Sequence, residues 1–124
     1  MLKFIIVTML FCTALYAGDF TVKSLEEAQT ISESTNQPIL LIFGSPDCLF
    51  CEQLNNAITT EEFKQDIDKF IICYIDLTIE NNKVYKTEYK ISIIPDSYIM
   101  QDGKVINHMS GYEKNKYLKW LKTK

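Results

Sequence analysis

From Ser24 onward the chain alternates between helical spacing and short runs that are apolar throughout. Ser24-Leu25-Glu26-Glu27 predicts a helix start, because a serine and a glutamate three residues on can satisfy the first free amides reciprocally. Leu25, Ala28 and Ile31 share a face of that helix, which ends near Asn36-Gln37-Pro38. Ile39 to Phe43 is apolar at every position, the pattern of a strand covered on both faces. Gly44-Ser45-Pro46-Asp47 is a loop, and Cys48 opens a second helical pattern through Cys51, Leu54, Asn55 and Ile58. Thr60 before Glu61-Glu62 starts a further turn or helix, with Phe63 and Ile67 inward. Phe70 to Leu77 is a second buried strand. Asn82 to Tyr89 predicts a helix that turns Val84, Tyr85 and Tyr89 inward. After a connection at Ile91 to Pro95, Ser97 to Met100 and Val105 to Met109 read as two strands about the turn Gln101-Asp102-Gly103-Lys104. Glu113 to Lys122 is a closing helix with Tyr117, Leu118 and Leu121 on one side. This order predicts an α/β domain whose core strands are parallel, with the hairpin adding an antiparallel edge.

The first residues follow a different pattern. Phe4 to Ala17 is almost unbroken apolar sequence behind a single Lys3, and charge begins at Asp19. The run spans roughly 14 residues, short of the ~20 that a helix needs to cross a bilayer. A positive start, an apolar stretch and small residues at Ala17-Gly18 are the marks of a secretory signal peptide. The expected division is therefore residues 1–17 as signal peptide and 18–124 as one domain. An uncleaved membrane anchor is the competing reading. Cys12 lacks the small preceding residue that lipidation requires, since Phe11 stands there. Export places the domain in the periplasm or another oxidising compartment, where a thiol pair needs a reason to exist.

Composition narrows the function classes. With 124 residues, 47% hydrophobic and 23% charged, the chain is ordinary globular protein, and collagen-like or disordered readings are excluded. All 13 basic residues are lysine, against 16 acids, for a net charge of −3. That balance disfavours binding to a phosphate backbone, so no nucleic-acid partner is expected.

Cys48-Leu49-Phe50-Cys51 carries the strongest chemical signal, lying directly after a buried strand and at a helix start. With Cys48 near the N-cap, one helical turn returns Cys51 to the same face, within disulfide reach. The first-turn amides and the helix dipole favour a negative sulfur at Cys48, the expected nucleophile. Cys51, deeper in the helix, would resolve the mixed disulfide. Zinc is a weaker reading, because only Cys73 and His108 remain as further ligands after residue 17, each alone. Haem attachment would need histidine after the second cysteine, where Glu52 stands. A purely structural disulfide stays open, although so short a loop restrains the unfolded chain little. Cys73 lies within an apolar strand and is expected to be an inert buried thiol.

From about residue 19 to 124 the chain resembles the thioredoxin family. The resemblance rests, in order, on Ile39-Leu40-Leu41-Ile42-Phe43 as the strand feeding the site, the Cys48–Cys51 motif, Tyr89-Lys90-Ile91-Ser92-Ile93-Ile94-Pro95, and Asp102-Gly103-Lys104-Val105 followed by Gly111. It implies a three-layer α/β fold, a central mixed sheet flanked by helices. It also implies that Pro95 is a cis-proline beside the redox pair, and that the backbone of Ile94 pairs with an extended substrate segment. Leu49 and Phe50 depart from the residues found between the cysteines of typical thioredoxins. Asp47 stands where tryptophan is frequent, so Asp47, Leu49 and Phe50 are expected to tune the pair. Asp47 and Glu52 both disfavour a nearby anion. Ile42 occupies the place of a buried acid below the resolving cysteine, leaving water or Asp76 as the proton acceptor for Cys51.

The resemblance implies a monomeric thiol–disulfide oxidoreductase acting on protein disulfides, without metal, nucleotide or flavin. Reduction is the first expectation, with electrons drawn from a membrane-embedded thiol donor. An oxidase of exported thiols and a non-catalytic thioredoxin-like binding module are the alternatives.

Overall fold

The computed structural model describes residues 21–123, so the expected signal peptide at 1–17 lies outside the described residues. The elements in chain order are β1 (Thr21–Val22), α1 (Leu25–Thr35), β2 (Ile39–Gly44), α2 (Leu49–Ala57), α3 (Glu61–Ile67) and β3 (Ile71–Asp76). A single 3₁₀ turn (Glu80–Asn82), α4 (Val84–Glu88), β4 (Asp96–Gln101), β5 (Lys104–Ser110) and α5 (Lys114–Lys122) follow. The strands form one mixed sheet in the order β1-β3-β2-β4-β5. β1 and β2 each run parallel to β3, and the hairpin β4–β5 joins antiparallel through β4 on β2.

β2 sits at the centre, and its apolar run is explained by alternation. Ile39, Leu41 and Phe43 point to one face with Cys73, Ile75, Tyr98 and Met100, where α1 and α4 add Ala28, Tyr85 and Tyr89. Leu40 and Ile42 point to the other with Ile72 and Ile99, where α2, α3 and α5 supply Leu54, Phe63, Tyr117, Trp120 and Leu121. Each fully buried aliphatic or aromatic side chain contributes about 1.5–3 kcal/mol relative to exposure. Covering both faces of one central strand is therefore what holds the three layers together.

Local signals do what their chemistry dictates. Ser24 Oγ caps α1 by accepting from the Glu27 amide at 3.3 Å, and Asn36 ends the helix in the left-handed region at φ 63°. Glu113 caps α5 by accepting from the amides of Asn115 at 2.9 Å and Lys116 at 3.3 Å. Asp102 and Gly103 both take positive φ, 55° and 77°, as a two-residue hairpin turn requires.

Two expectations need correction. Val84 is exposed, because α4 is only one and a half turns long and places Tyr85 and Tyr89 against Phe43 instead. The sheet also has a strand beyond those expected, β1, which pairs Thr21 with Ile72 and Val22 with Cys73 at the edge.

Candidate functional site

The chain leaves β2 at Gly44, turns through Ser45-Pro46-Asp47 and enters α2 with Cys48 as its N-cap. Cys48 has extended backbone, φ −101° and ψ 113°, and its Sγ accepts from the Cys51 amide at 3.1 Å. A sulfur in the N-cap position takes up a first-turn amide that the helix leaves without a carbonyl partner. The same turn closes a disulfide between Cys48 and Cys51, with Cα atoms 5.1 Å apart. The two sulfurs are unequal: Cys48 is half-buried, and Cys51 is only 1% exposed.

The facing wall comes from the segment before β4. The Ile94–Pro95 peptide is cis, and the Ile94 carbonyl oxygen lies 3.7 Å from Cys48 Sγ. Pro95 is fully buried and Ile94 half-buried, while Ile93 is exposed. Behind the loop, the Gly111 amide donates to the Pro95 carbonyl at 2.7 Å. The positions expected to form the site thus meet in space: Cys48, Cys51, Ile94 and Pro95 converge. Leu49 (64% exposed) and Phe50 (53%) project from the first turn of α2 as an apolar rim, and Asp47 and Glu52 are exposed.

Two features escaped sequence reasoning. Asp96, next to Pro95, is buried, and its carboxylate accepts from the Tyr98 hydroxyl at 2.9 Å. It also pairs with His108 Nε2 at 2.5 Å and accepts from Ser110 Oγ at 3.4 Å. The His108 ring stacks on Tyr98 with centroids 4.3 Å apart. Burial, reinforced by the Asp96 hydrogen bond and charge, drives the Tyr98 hydroxyl pKa well above its ordinary value. An acid directly after Pro95 and just ahead of the Tyr98-Ile99-Met100 run, in a chain with one histidine, was the available signal. The second feature is Tyr74, whose hydroxyl reaches the space beside Gly44 and Cys51.

Cys73 stays apart from the redox pair. It is wholly buried on the α1 face of the sheet, and burial, with the Glu27 charge adding, pushes its thiol up to about 12. Thiolate is the reactive form, so this sulfur is inert at neutral pH.

The same architecture occurs in solved structures. A thioredoxin from Thermus thermophilus is similar with a TM-score of 0.70 at 15% identity, over 82% of each chain. The oxidised C-terminal domain of Neisseria meningitidis DsbD gives 0.66 at 18% identity, covering 81% of this chain and 95% of that one. Poplar thioredoxin h gives 0.64 at 19% identity, with 80% and 88% covered. At these identities the likeness speaks for the fold, which is that of thioredoxin. A family model, described as thioredoxin-like domain, matches residues 25–124, and the chain belongs to that family. No curated protein matches by sequence. Fold, family and a cysteine pair at bonding distance together support thiol–disulfide oxidoreductase chemistry.

Proposed function

We propose that this protein is an exported thiol–disulfide oxidoreductase that reduces disulfides of protein partners. The observation that carries the reading is the inequality of the two bonded sulfurs at one helix start, Cys48 half-buried beneath an exposed apolar rim and Cys51 covered. An incoming disulfide is attacked by the Cys48 thiolate, so one partner sulfur leaves and the other joins Cys48. Cys51 then attacks Cys48 Sγ, the mixed disulfide breaks, and the partner departs with two thiols. An extended partner segment would lie along Ile94, with Leu49, Phe50 and Ile93 offering apolar contacts.

Reduction is favoured over oxidation by the charges. Exposed Asp47 and Glu52 flank the pair, and no histidine lies between the cysteines. An anionic Cys48 is thereby opposed, which stabilises the disulfide relative to the dithiol and lowers the potential. An exported reductase must be recharged, and a membrane thiol donor fills that role. The apolar Phe4–Ala17 stretch supports export.

The test is the reduction potential of the Cys48–Cys51 pair, equilibrated against glutathione, together with trapping by Cys51→Ser. A value near about −270 mV, with trapped mixed disulfides, supports a reductase. A value near about −120 mV makes the protein an oxidase instead. If Cys51→Ser traps nothing and insulin is not reduced, the domain is a binding module.

A further inference from the structure

The exchange cycle leaves one proton without a path. Cys51 must lose its thiol proton before it can attack, yet it is 1% exposed. Ile42 on β2 is wholly buried and offers no ionisable atom. The adjoining strand supplies a polar group instead. Tyr74 on β3 stands in register with Ile42, and its ring reaches past Gly44. A methyl group at Gly44 would lie 2.3 Å from Tyr74 Oη and 3.0 Å from Cys51 Sγ. The hydroxyl and the covered sulfur therefore border the same point, in space left by the missing side chain.

Beyond the hydroxyl lies a cleft of about 350 Å³, which Tyr74 lines with Ser45, Glu52, Asn55 and Asp76. Its titratable groups are Glu52 from α2 and Asp76 and Tyr74 from β3. On the opposite flank, β4 presents Ser97 in register with Ile42, an uncharged group already bound by the Tyr117 hydroxyl at 2.8 Å.

We propose that Tyr74 acts directly in the resolving step: its hydroxyl donates a hydrogen bond to Cys51 Sγ as that sulfur becomes a thiolate. The proton leaves through cleft water toward the Asp76 carboxylate. The thiolate pair attacks Cys48 Sγ, the bond from Cys48 to the partner breaks, and the partner sulfur leaves as thiolate. The cysteine pair loses two electrons and the partner disulfide gains two. Burial raises the Tyr74 pKa, Asn55 acts against it and Asp76 adds to it, which keeps the phenol protonated and able to donate.

This inference rests on the proposed dithiol exchange, and one experiment separates the two. Reduced protein is mixed with Ellman's reagent in a stopped-flow instrument across a pH series. The first chromophore released reports attack by Cys48, and the second reports resolution by Cys51. Hydrogen bonds to charged groups are strong enough for roughly tenfold effects. Tyr74→Phe is expected to leave the first phase within about twofold, slow the second about tenfold at pH 7, and move its pH midpoint up by about one unit. Asn55→Ala, which leaves ring and sulfurs in place, should shift the same midpoint upward by a smaller amount. An unmoved midpoint in Tyr74→Phe, even with altered rates, overturns the role of Tyr74 and leaves the exchange reading standing. A wild-type protein that shows the first phase and never the second defeats the exchange reading, and this inference with it.

Discussion

Replacing Gly44 with alanine puts the smallest side chain into a space already filled. The new carbon would stand 2.3 Å from Tyr74 Oη, 2.9 Å from Tyr74 Cζ and 3.0 Å from Cys51 Sγ. All three lie inside the roughly 3.5–4 Å at which nonbonded atoms attract. Two effects oppose each other. A Cβ restricts the unfolded chain, a gain of about 0.4–1 kcal/mol. Overpacking a filled interior costs about 1–3 kcal/mol. Neither neighbour yields easily here, since Cys51 Sγ is tied to Cys48 and Tyr74 meets the methyl through both its hydroxyl oxygen and the rigid ring carbon that bears it. The overlap wins, and a net loss of about 1–2 kcal/mol is expected. For a domain of this size each kcal/mol moves Tm by about 4–8 °C, so oxidised Gly44→Ala should melt about 5–15 °C below wild type by scanning calorimetry. The ring is the larger obstacle, so in a Tyr74→Ala background the cost of Gly44→Ala should fall by more than half. A melting point within about 2 °C of wild type, or an equal cost with and without the ring, refutes this packing account.

Two further outcomes follow from buried polar groups. Cys73 has a folded-state pKa raised from 9.0 to about 12, so the unfolded chain loses this proton first as pH climbs. Its contribution to stability is complete below about pH 9 and disappears between 9 and 12, at up to about 1.4 kcal/mol per pH unit. Urea titrations should therefore show wild type falling more steeply than Cys73→Ala across that window, and parallel curves would contradict it. His108→Ala strips buried Asp96 of its closest partner and Tyr98 of its stacked ring. The expected loss is about 1–3 kcal/mol in chemical denaturation, and a change below about 0.5 kcal/mol would show that the pair contributes nothing.

The central strands and the redox pair were legible because each rests on spacing along the chain. An apolar run between breakers defines β2, and a three-residue separation on a helix brings Cys48 to Cys51. Ile94 and Pro95 were legible from the family motif, which carries long-range placement that periodicity does not. What escaped depends on register between strands. Tyr74 reaches the space that Gly44 leaves beside Cys51 only because β3 lies parallel to β2 with Gly44 opposite Asp76. Asp96 meets His108 across a hairpin whose pairing shifts at Ile99/Met100, an offset no alternation pattern announces. β1 has two residues, too few to show any period. Val84 was misplaced because two tyrosines four apart, Tyr85 and Tyr89, claim the inner face of a short helix.

The loop carrying Ile94 is held from several directions. Its carbonyl lies 3.7 Å from Cys48 Sγ, the next carbonyl is bound by Gly111, and Asp96 anchors it to β5. In the docking proposed above, an edge fastened this way loses little freedom when the partner segment settles on it, so preorganisation favours association with an extended peptide. Discrimination among the proposed partners would then fall to the projecting side chains of Leu49, Phe50 and Ile93, where one substitution can alter preference while the edge itself stays as it is.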